Sequence, residues 1–171
     1  GIMSLSYKAI AAFDPEGFIF AAGMNSQCIK LYDLRSYDKG PFTTFNFDPE
    51  PGIEWTGMKF SPDGKSIMIS TNGEVIRVID SFSGDVRYNL TGHKNSESAS
   101  LEAVFSPDSN YILCGSSDLK IYCWSADSGA LVTTLPTLHT SPIQQVAFNP
   151  KYFMLASACQ NVHFWVPENE E

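Results

Sequence analysis

The sequence predicts an all-β protein built from four β-propeller blades. Four similar segments open on Phe13, Phe60, Phe105 and Phe148, which are 47, 45 and 43 residues apart. Each segment continues with an apolar run, a polar turn and a second apolar run. A repeat of this length with only short strand-like runs is typical of a propeller blade. Because no window keeps a 3.6-residue period, essentially no helix is expected.

The second repeat shows how one four-stranded blade would form. Residues 54–60 alternate between two faces, as expected for a half-buried strand. Residues 61–64, Ser-Pro-Asp-Gly, predict a type I turn into a second strand at residues 66–71. Asn72-Gly73 then predicts a tight hairpin, because both residues tolerate positive φ. The third and fourth strands are expected at residues 75–80 and 86–90.

The other repeats follow the same order of strands. The first is expected at residues 9–13, 18–22, 28–32 and 42–47, and the third at 100–105, 111–114, 120–124 and 130–135. The fourth has three strands, at 143–148, 154–158 and 162–166. We expect a propeller segment over residues 1–167, with repeats opening near residues 8, 54, 99 and 142, and a disordered acidic tail at 168–171.

Composition limits the classes of partner. The chain has 171 residues, of which 43% are hydrophobic and 13% aromatic, enough for a packed core. The net charge is −8 and the eleven Lys and Arg residues form no run, which argues against nucleic acid or an anionic membrane as main partner. No apolar run approaches the ~20 residues that span a bilayer, and the N-terminus lacks the features of a signal peptide.

The four cysteines are expected to be buried thiols in a reducing compartment. They form no Cys-x-x-Cys pair; they are Cys28, Cys114, Cys123 and Cys159. Cys159 and His163 have a spacing seen in zinc sites, but no second ligand pair lies near them in the sequence. We therefore predict no metal and no cofactor, and interpret His163 as a strand residue.

The third repeat carries a polar motif. Gly92-His93 precedes its first strand, Ser116 and Asp118 lie at its central hairpin, and Trp124 ends its third strand. This pattern resembles the WD repeat. The resemblance implies a buried hydrogen-bond network of His93, Ser116, Asp118 and Trp124 across the blade. A network of this kind would satisfy the indole N–H and fix the strand register.

The other repeats depart from this motif. The second has Ile79-Asp80 where Trp-Asp is typical, and the first has Tyr32-Asp33. The fourth keeps His139 and Trp165 but is two residues shorter at its central hairpin. Only the third repeat is therefore expected to carry the whole network.

A closer resemblance is carried by nine runs of residues: 13–17, 20–23, 31–42, 54–60, 69–73, 101–103, 105–109, 148–151 and 156–167. They resemble the C-terminal part of the Swd-two-type WD-repeat subunits of COMPASS histone lysine methyltransferase complexes. The resemblance implies a nuclear, non-catalytic adaptor. Such an adaptor supports methylation of histone H3 at lysine 4 and links its complex to the phosphorylated tail of RNA polymerase II. The alternatives are a WD-repeat adaptor in RNA 3′-end processing or phosphatase complexes, or a cytoplasmic adaptor.

The resemblance also implies a seven-bladed ring, whereas this sequence contains four repeats. Residues Gly1 to Tyr7 look like the last strand of a preceding blade, and the fourth repeat lacks its own outer strand. Residues 1–7 could fill that gap within one chain or by strand exchange in a homodimer. A third alternative is a fragment of a larger propeller. A fragment or a dimer is favoured over a closed four-bladed monomer.

Two kinds of functional site compete with a purely structural role for these residues: a hydrolase centre and a partner-binding surface. Ser116, Asp118 and His93 invite a hydrolase interpretation, but no Gly-x-Ser-x-Gly elbow is present and the blade network accounts for all three. We therefore predict no enzyme. Partner contacts are assigned to Trp55, Arg35 and Tyr37, because Trp, Tyr and Arg dominate interface energies. Trp55 and Arg35 are expected on opposite rims, and burial of Trp55 is the alternative.

Overall fold

A computed structural model describes residues 8–167, which form four antiparallel β-sheets that follow one another along the chain. The first three sheets have four strands each, and the fourth has three within the described residues. In every sheet the strands pair in chain order. The all-β prediction is confirmed, and the four sheets are called blades one to four below.

The strand bounds lie within a few residues of those expected. Blade one contains β1 (Ala9–Phe13), β2 (Ile19–Met24), β3 (Cys28–Asp33) and β4 (Thr43–Asn46). Blade two contains β5 (Trp55–Phe60), β6 (Ser66–Thr71), β7 (Ile76–Asp80) and β8 (Val86–Leu90). Blade three contains β9 (Ala103–Phe105), β10 (Tyr111–Gly115), β11 (Lys120–Ser125) and β12 (Leu131–Pro136). Blade four contains β13 (Gln145–Phe148), β14 (Leu155–Ala158) and β15 (Val162–Trp165).

Among residues 8–167, helix is confined to one 3-10 turn, Tyr37–Lys39, in the connection between β3 and β4. Within residues 8–167, no helix has the length and apolar character needed to cross a bilayer. The strand proposed at Gly1 to Tyr7 and the tail at residues 168–171 both lie outside the described residues.

The central strands of the blades bury both faces, and successive side chains face different neighbours. In β6, Ile67 and Ile69 join a cluster with blade one, whereas Met68 joins a cluster with blade three. In β10, Ile112 packs toward blade two and Leu113 toward blade four. This is the period of two that a β-strand imposes on its side chains. Each blade interior is therefore shared with the blades beside it.

Three apolar clusters result, one for each pair of neighbouring blades. The cluster between blades one and two includes Ile29, Phe45, Trp55 and Ile79. The cluster between blades two and three includes Val78, Leu90, Ile112 and Trp124. The cluster between blades three and four includes Leu113, Ile121, Ile143 and Val146.

The Ser-Pro-Asp-Gly turn forms as the sequence predicts. The backbone N–H of Gly64 donates to the Ser61 carbonyl at 2.9 Å, and Gly64 has φ of 73°. The Ser61 hydroxyl donates to the Asp63 carboxylate at 2.6 Å and accepts from the Ser66 N–H at 3.0 Å. The equivalent turn of blade three is closed by a Ser109 N–H bond to the Ser106 carbonyl at 2.9 Å.

The Asn72-Gly73 hairpin is in the predicted place but has a different backbone. Neither residue has positive φ; within residues 8–167 the non-glycine residues that do include Asn25 and Ser26, in the β2–β3 turn. The Thr71 hydroxyl closes the β6–β7 turn instead, because it accepts from the Gly73 N–H at 3.1 Å and donates to the Val75 carbonyl at 2.7 Å. The predicted hairpin is therefore present, and Thr71 closes it without positive φ at either residue.

Gly115 marks a close approach of blade three to blade four. A Cβ added there would lie 2.2 Å from the Ile143 carbonyl oxygen, which is backbone and cannot rotate away. Gly57 in β5 is a matched strand glycine, and a Cβ added there would meet nothing within 4 Å.

We predict that Gly115→Ala lowers the free energy of unfolding by about 1–3 kcal/mol, because the added methyl group forces the two blades apart. Gly57→Ala should change it by much less. Urea denaturation of both variants and the parent checks this. Equal midpoints for the two variants would contradict the close packing of blades three and four.

Candidate functional site

Trp124 lies at the centre of the polar motif in blade three. Its side chain is 1% exposed and packs edge-to-face on the His93 ring, with the ring centroids 5.8 Å apart. The indole N–H donates to the Thr91 carbonyl at 3.1 Å. The buried donor is therefore satisfied by the backbone of the segment that precedes β9.

Ser116 and Asp118 lie in the β10–β11 turn of the same blade. The Ser116 hydroxyl accepts from the Lys94 N–H at 2.9 Å and donates to the Lys94 carbonyl at 3.2 Å. The Asp118 carboxylate accepts from the Tyr122 hydroxyl at 2.8 Å. Ser116 thus ties the hairpin to the segment before β9, whereas Asp118 makes a bond within the hairpin, to β11.

The structure brings the four predicted residues into one blade but does not join them in a single chain of hydrogen bonds. Ser116 lies beyond the end of β10, so its hydroxyl reaches the Lys94 backbone rather than the indole of Trp124. The Nδ1 atom of His93 and the Oδ1 atom of Asp118 are buried and have no hydrogen-bond partner within residues 8–167. The continuous four-residue network that the resemblance implies is not what this geometry shows.

Charge states in this blade follow from burial and hydrogen bonding. Burial lowers the pKa of His93 below its usual value, which favours the neutral imidazole. Burial alone would raise the pKa of Asp118, but the neighbouring Ser116 and Tyr122 hydroxyls and the charge of Lys120 bring it below its usual value. The Ser116 hydroxyl is already engaged as donor and acceptor with the Lys94 backbone. Ser116 and Asp118 therefore have structural hydrogen-bond partners, and the His93 ring packs on Trp124.

A second polar chain lies in blade four. The Trp165 indole N–H and the Nε2 atom of His139 both lie 2.8 Å from the Ser157 hydroxyl oxygen. The Nδ1 atom of His139 lies 3.1 Å from the Cys159 sulfur. Ser157 is fully buried and His139 is 3% exposed. We call Trp165, Ser157, His139 and Cys159 the blade-four polar chain.

Sequence reasoning assigned the complete network to blade three alone and missed Ser157. A signal was present, since Ser157 precedes Trp165 by eight residues, as Ser116 precedes Trp124. The central hairpin of blade four is two residues shorter, as predicted, with residues 159–161 between the last paired positions instead of 116–120. Ser157 therefore remains inside β14, where its side chain reaches the tryptophan.

Asn95 is a further polar residue that sequence reasoning missed. It is 6% exposed, and its side-chain N–H groups donate to the Ala99 carbonyl at 2.8 Å and the Asn72 carbonyl at 3.0 Å. Its side-chain oxygen accepts from the Ala99 N–H at 2.9 Å. Asn95 thus shapes the loop before β9 and joins it to the central hairpin of blade two. This loop explains why β9 begins at Ala103 rather than at residue 100.

The three candidate contact residues lie in different environments. Trp55 is 5% exposed and packs edge-to-face on Phe47, with the ring centroids 5.6 Å apart. Its backbone N–H also has a partner within the protein, because it donates to the Ser26 hydroxyl at 2.8 Å. The structure therefore places Trp55 in the core between blades one and two rather than on the rim, because both faces of β5 are covered there.

Arg35 and Tyr37 lie in the β3–β4 connection, at the end of blade one opposite Trp55. The Arg35 side chain is 75% exposed, and its guanidinium binds the Asp33 carboxylate with contacts of 2.6 and 2.9 Å. It also lies over the Phe18 ring, 5.7 Å from its centroid. Hydrogen bonds from Arg35 lower the pKa of Asp33 to about 2. Tyr37 is half-buried in the 3-10 turn.

No group of three or more His, Cys, Asp and Glu side chains that could hold a metal ion occurs among residues 8–167. Cys159 and His163 each contact His139 in blade four: the Cys159 sulfur lies 3.1 Å from its Nδ1 atom, and the His163 ring stacks on it at a centroid distance of 3.9 Å. The four cysteines are free thiols.

The repeats decide the family. Residues 84–125, which run from the β7–β8 turn to the end of β11, match the family model described as "WD domain, G-beta repeat". The chain contains a WD repeat. The resemblance to WD repeats predicted from the sequence is confirmed, and the four-sheet architecture agrees with it.

Several WD-repeat proteins are similar along most of the chain. "WD repeat-containing protein 82" of Drosophila melanogaster is 56% identical over 171 residues, which cover 100% of this chain and 54% of that protein. "Protein ANTHESIS POMOTING FACTOR 1" of Arabidopsis thaliana is 32% identical, covering 100% of this chain and 51% of that protein. "COMPASS component SWD2" of Saccharomyces cerevisiae is 28% identical, covering 91% of this chain and 51% of that protein. The resemblance to Swd-two-type proteins is thereby confirmed, and this WD-repeat chain spans about half the length of these relatives.

We predict that Trp124→Ala lowers the free energy of unfolding by about 3–5 kcal/mol, because it empties the centre of the cluster between blades two and three. Trp124→Phe should cost less, since it keeps most of the ring and loses only the bond to Thr91. Urea denaturation followed by circular dichroism measures both changes. An unmoved midpoint for Trp124→Ala would show that this WD repeat is packed differently.

Proposed function

We propose that this chain is a non-catalytic interaction scaffold, a WD-repeat subunit of a nuclear histone H3 lysine-4 methyltransferase complex. The observation that carries the proposal is its similarity to a protein named as a COMPASS component, which extends over 91% of this chain. The 56% identity with the Drosophila protein supports the same subtype along the whole chain.

The use of polar groups in the blades supports a role in binding rather than catalysis. In blade three, Ser116 binds the Lys94 backbone and Asp118 accepts from the Tyr122 hydroxyl. In blade four, Ser157 lies within hydrogen-bond distance of His139 and Trp165. Such contacts fix a rigid framework that presents its rims and edges to other proteins. WD-repeat scaffolds would use these exposed parts, because the blade interiors are filled.

An apolar groove supports a protein partner. It has a volume of about 710 Å³ and lies between the outer half of blade three and blade four. Its walls include Tyr111, Val132, Leu135, Phe153 and Trp165. Phe153 is 82% exposed and Val132 53% exposed. Exposed apolar patches on a protein surface often mark interaction sites, and we assign this groove to a protein subunit of the complex.

The rim around Arg35 is our candidate for the link to the phosphorylated tail of RNA polymerase II. Arginine binds phosphate through paired N–H groups, and this side chain is 75% exposed. Asp33 already holds the guanidinium in one orientation. A phosphate would therefore meet an ordered cation, and it would have to share that cation with Asp33. Tyr37 lies beside it as an aromatic contact.

Residues Gly1 to Tyr7 form the last part of the proposal. We propose that they add an outer strand to blade four, either within one chain or by exchange in a homodimer. Unpaired strand edges favour such additions, because their backbone groups need partners.

One purification from nuclei tests these proposals together. The full-length protein that contains this chain is expressed with two different tags in the same cells, and one tag is used for capture. We expect methyltransferase subunits to copurify, and RNA polymerase II with them. Recovery of the second tag would support the homodimer, and its absence would remove it.

Arg35→Ala serves as the matched variant, because Arg35 is exposed and its loss should leave the fold intact. It should reduce recovery of the polymerase and leave the methyltransferase subunits unchanged. Absence of methyltransferase subunits from the parent sample, with phosphatase or RNA-processing subunits in their place, would overturn the proposed function in favour of the other adaptor roles.

A further inference from the structure

The blade-four polar chain ends on a thiol that the scaffold role does not use. Ser157 is fully buried, and its hydroxyl has one hydrogen to donate. The Trp165 indole can only donate, so it gives its hydrogen to the Ser157 oxygen at 2.8 Å. The Ser157 hydrogen then has the Nε2 atom of His139, also at 2.8 Å, as its acceptor.

This arrangement sets the tautomer of His139. With Nε2 accepting, a neutral imidazole carries its hydrogen on Nδ1. The Nδ1 atom lies 3.1 Å from the Cys159 sulfur and therefore donates to it. A hydrogen bond donated to sulfur stabilises the thiolate more than the thiol, because the thiolate carries the charge.

Other groups around Cys159 act in the same direction. The Ser141 hydroxyl and the backbone N–H groups of Asn161, Gln160 and Ser141 lower the pKa of the Cys159 thiol below its usual value. Burial and the neighbouring His163 lower the pKa of His139, so the imidazole stays neutral and keeps its Nδ1 hydrogen in place.

The two cysteines of blade three have thiol pKa values shifted in the opposite direction. Burial raises the pKa of Cys114 to about 12 and also raises that of Cys123. Cys159 is half-buried in the β14–β15 turn, so solvent molecules can reach it. It precedes Trp165 by six residues, as Asp118 precedes Trp124. The same turn position therefore holds a carboxylate in blade three and a sulfur in blade four.

We propose that Cys159 is a reactive thiolate and a site of selective oxidation by small peroxides such as hydrogen peroxide. The thiolate sulfur attacks one peroxide oxygen and the O–O bond breaks. The sulfur is oxidised to sulfenic acid, and the peroxide is reduced to hydroxide, which takes a proton from solvent to become water. The proposal is independent of the methyltransferase assignment.

The test treats the folded protein at neutral pH with hydrogen peroxide and traps sulfenic acid with dimedone. Mass spectrometry then gives the rate of labelling at each cysteine. Cys28 is the internal reference, because it is also half-buried and its strand, β3, carries no histidine. Since lowering a thiol pKa raises the thiolate fraction faster than it lowers nucleophilicity, we expect Cys159 to react at least about threefold faster than Cys28.

Two variants separate this proposal from simple exposure. Ser157→Ala removes the donor that sets the His139 tautomer, so labelling at Cys159 should fall toward that of Cys28, whose own rate stays constant. Cys159→Ser should abolish the fast labelling. If Ser157→Ala unfolds the chain, rapid labelling of buried Cys114 reveals it, and the comparison of Cys159 with Cys28 in the parent decides the matter. A Cys159 rate no higher than that of Cys28 would overturn the proposal.

Discussion

The structure depends on the burial of both faces of each sheet by the neighbouring blades. A four-stranded sheet of this size cannot hide its apolar residues by itself, and only contact with another sheet removes them from water. β6 shows the principle most directly, since all six of its residues are buried and Ile67, Met68 and Ile69 alternate between two clusters. Stability is thus a property of adjacent pairs of blades, and each cluster belongs equally to the two blades that enclose it.

Hydrogen bonds between blades supplement this apolar contact, because they require a defined orientation of donor and acceptor. The Ser26 hydroxyl holds the start of β5, and the Tyr88 hydroxyl donates to the Ala126 carbonyl across the next interface. Asn95 joins the loop of blade three to the hairpin of blade two. These bonds lie at the ends of the strands, where they fix how one blade is turned against the next. The loops at these strand ends are available to partners, whereas the interiors of the blades are rigidly packed.

Most strand positions could be predicted from local sequence patterns. The polar sites could not, because they depend on contacts between residues that are far apart in the sequence. The repeated Phe-x-Pro turns and the alternating runs located every strand, and β6 and β8 have the predicted bounds. The start of β9 was misplaced because the side chain of Asn95 organises the preceding loop.

Trp55 has the residue type of an interface anchor, yet its neighbours cover it. Blade four has a complete His-Ser-Trp contact because a shorter hairpin keeps Ser157 within its strand, which only the pairing register reveals.

The most direct test of shared blade stability is amide hydrogen exchange on the Leu90→Ala variant. Leu90 ends β8 of blade two, is fully buried and belongs to the cluster shared with blade three. The shared-interior account predicts that protection falls in the strands of blade two and also in β10 and β11 of blade three. Loss of protection confined to blade two, with blade three unchanged, would contradict it, because each blade would then be stable independently of its neighbour.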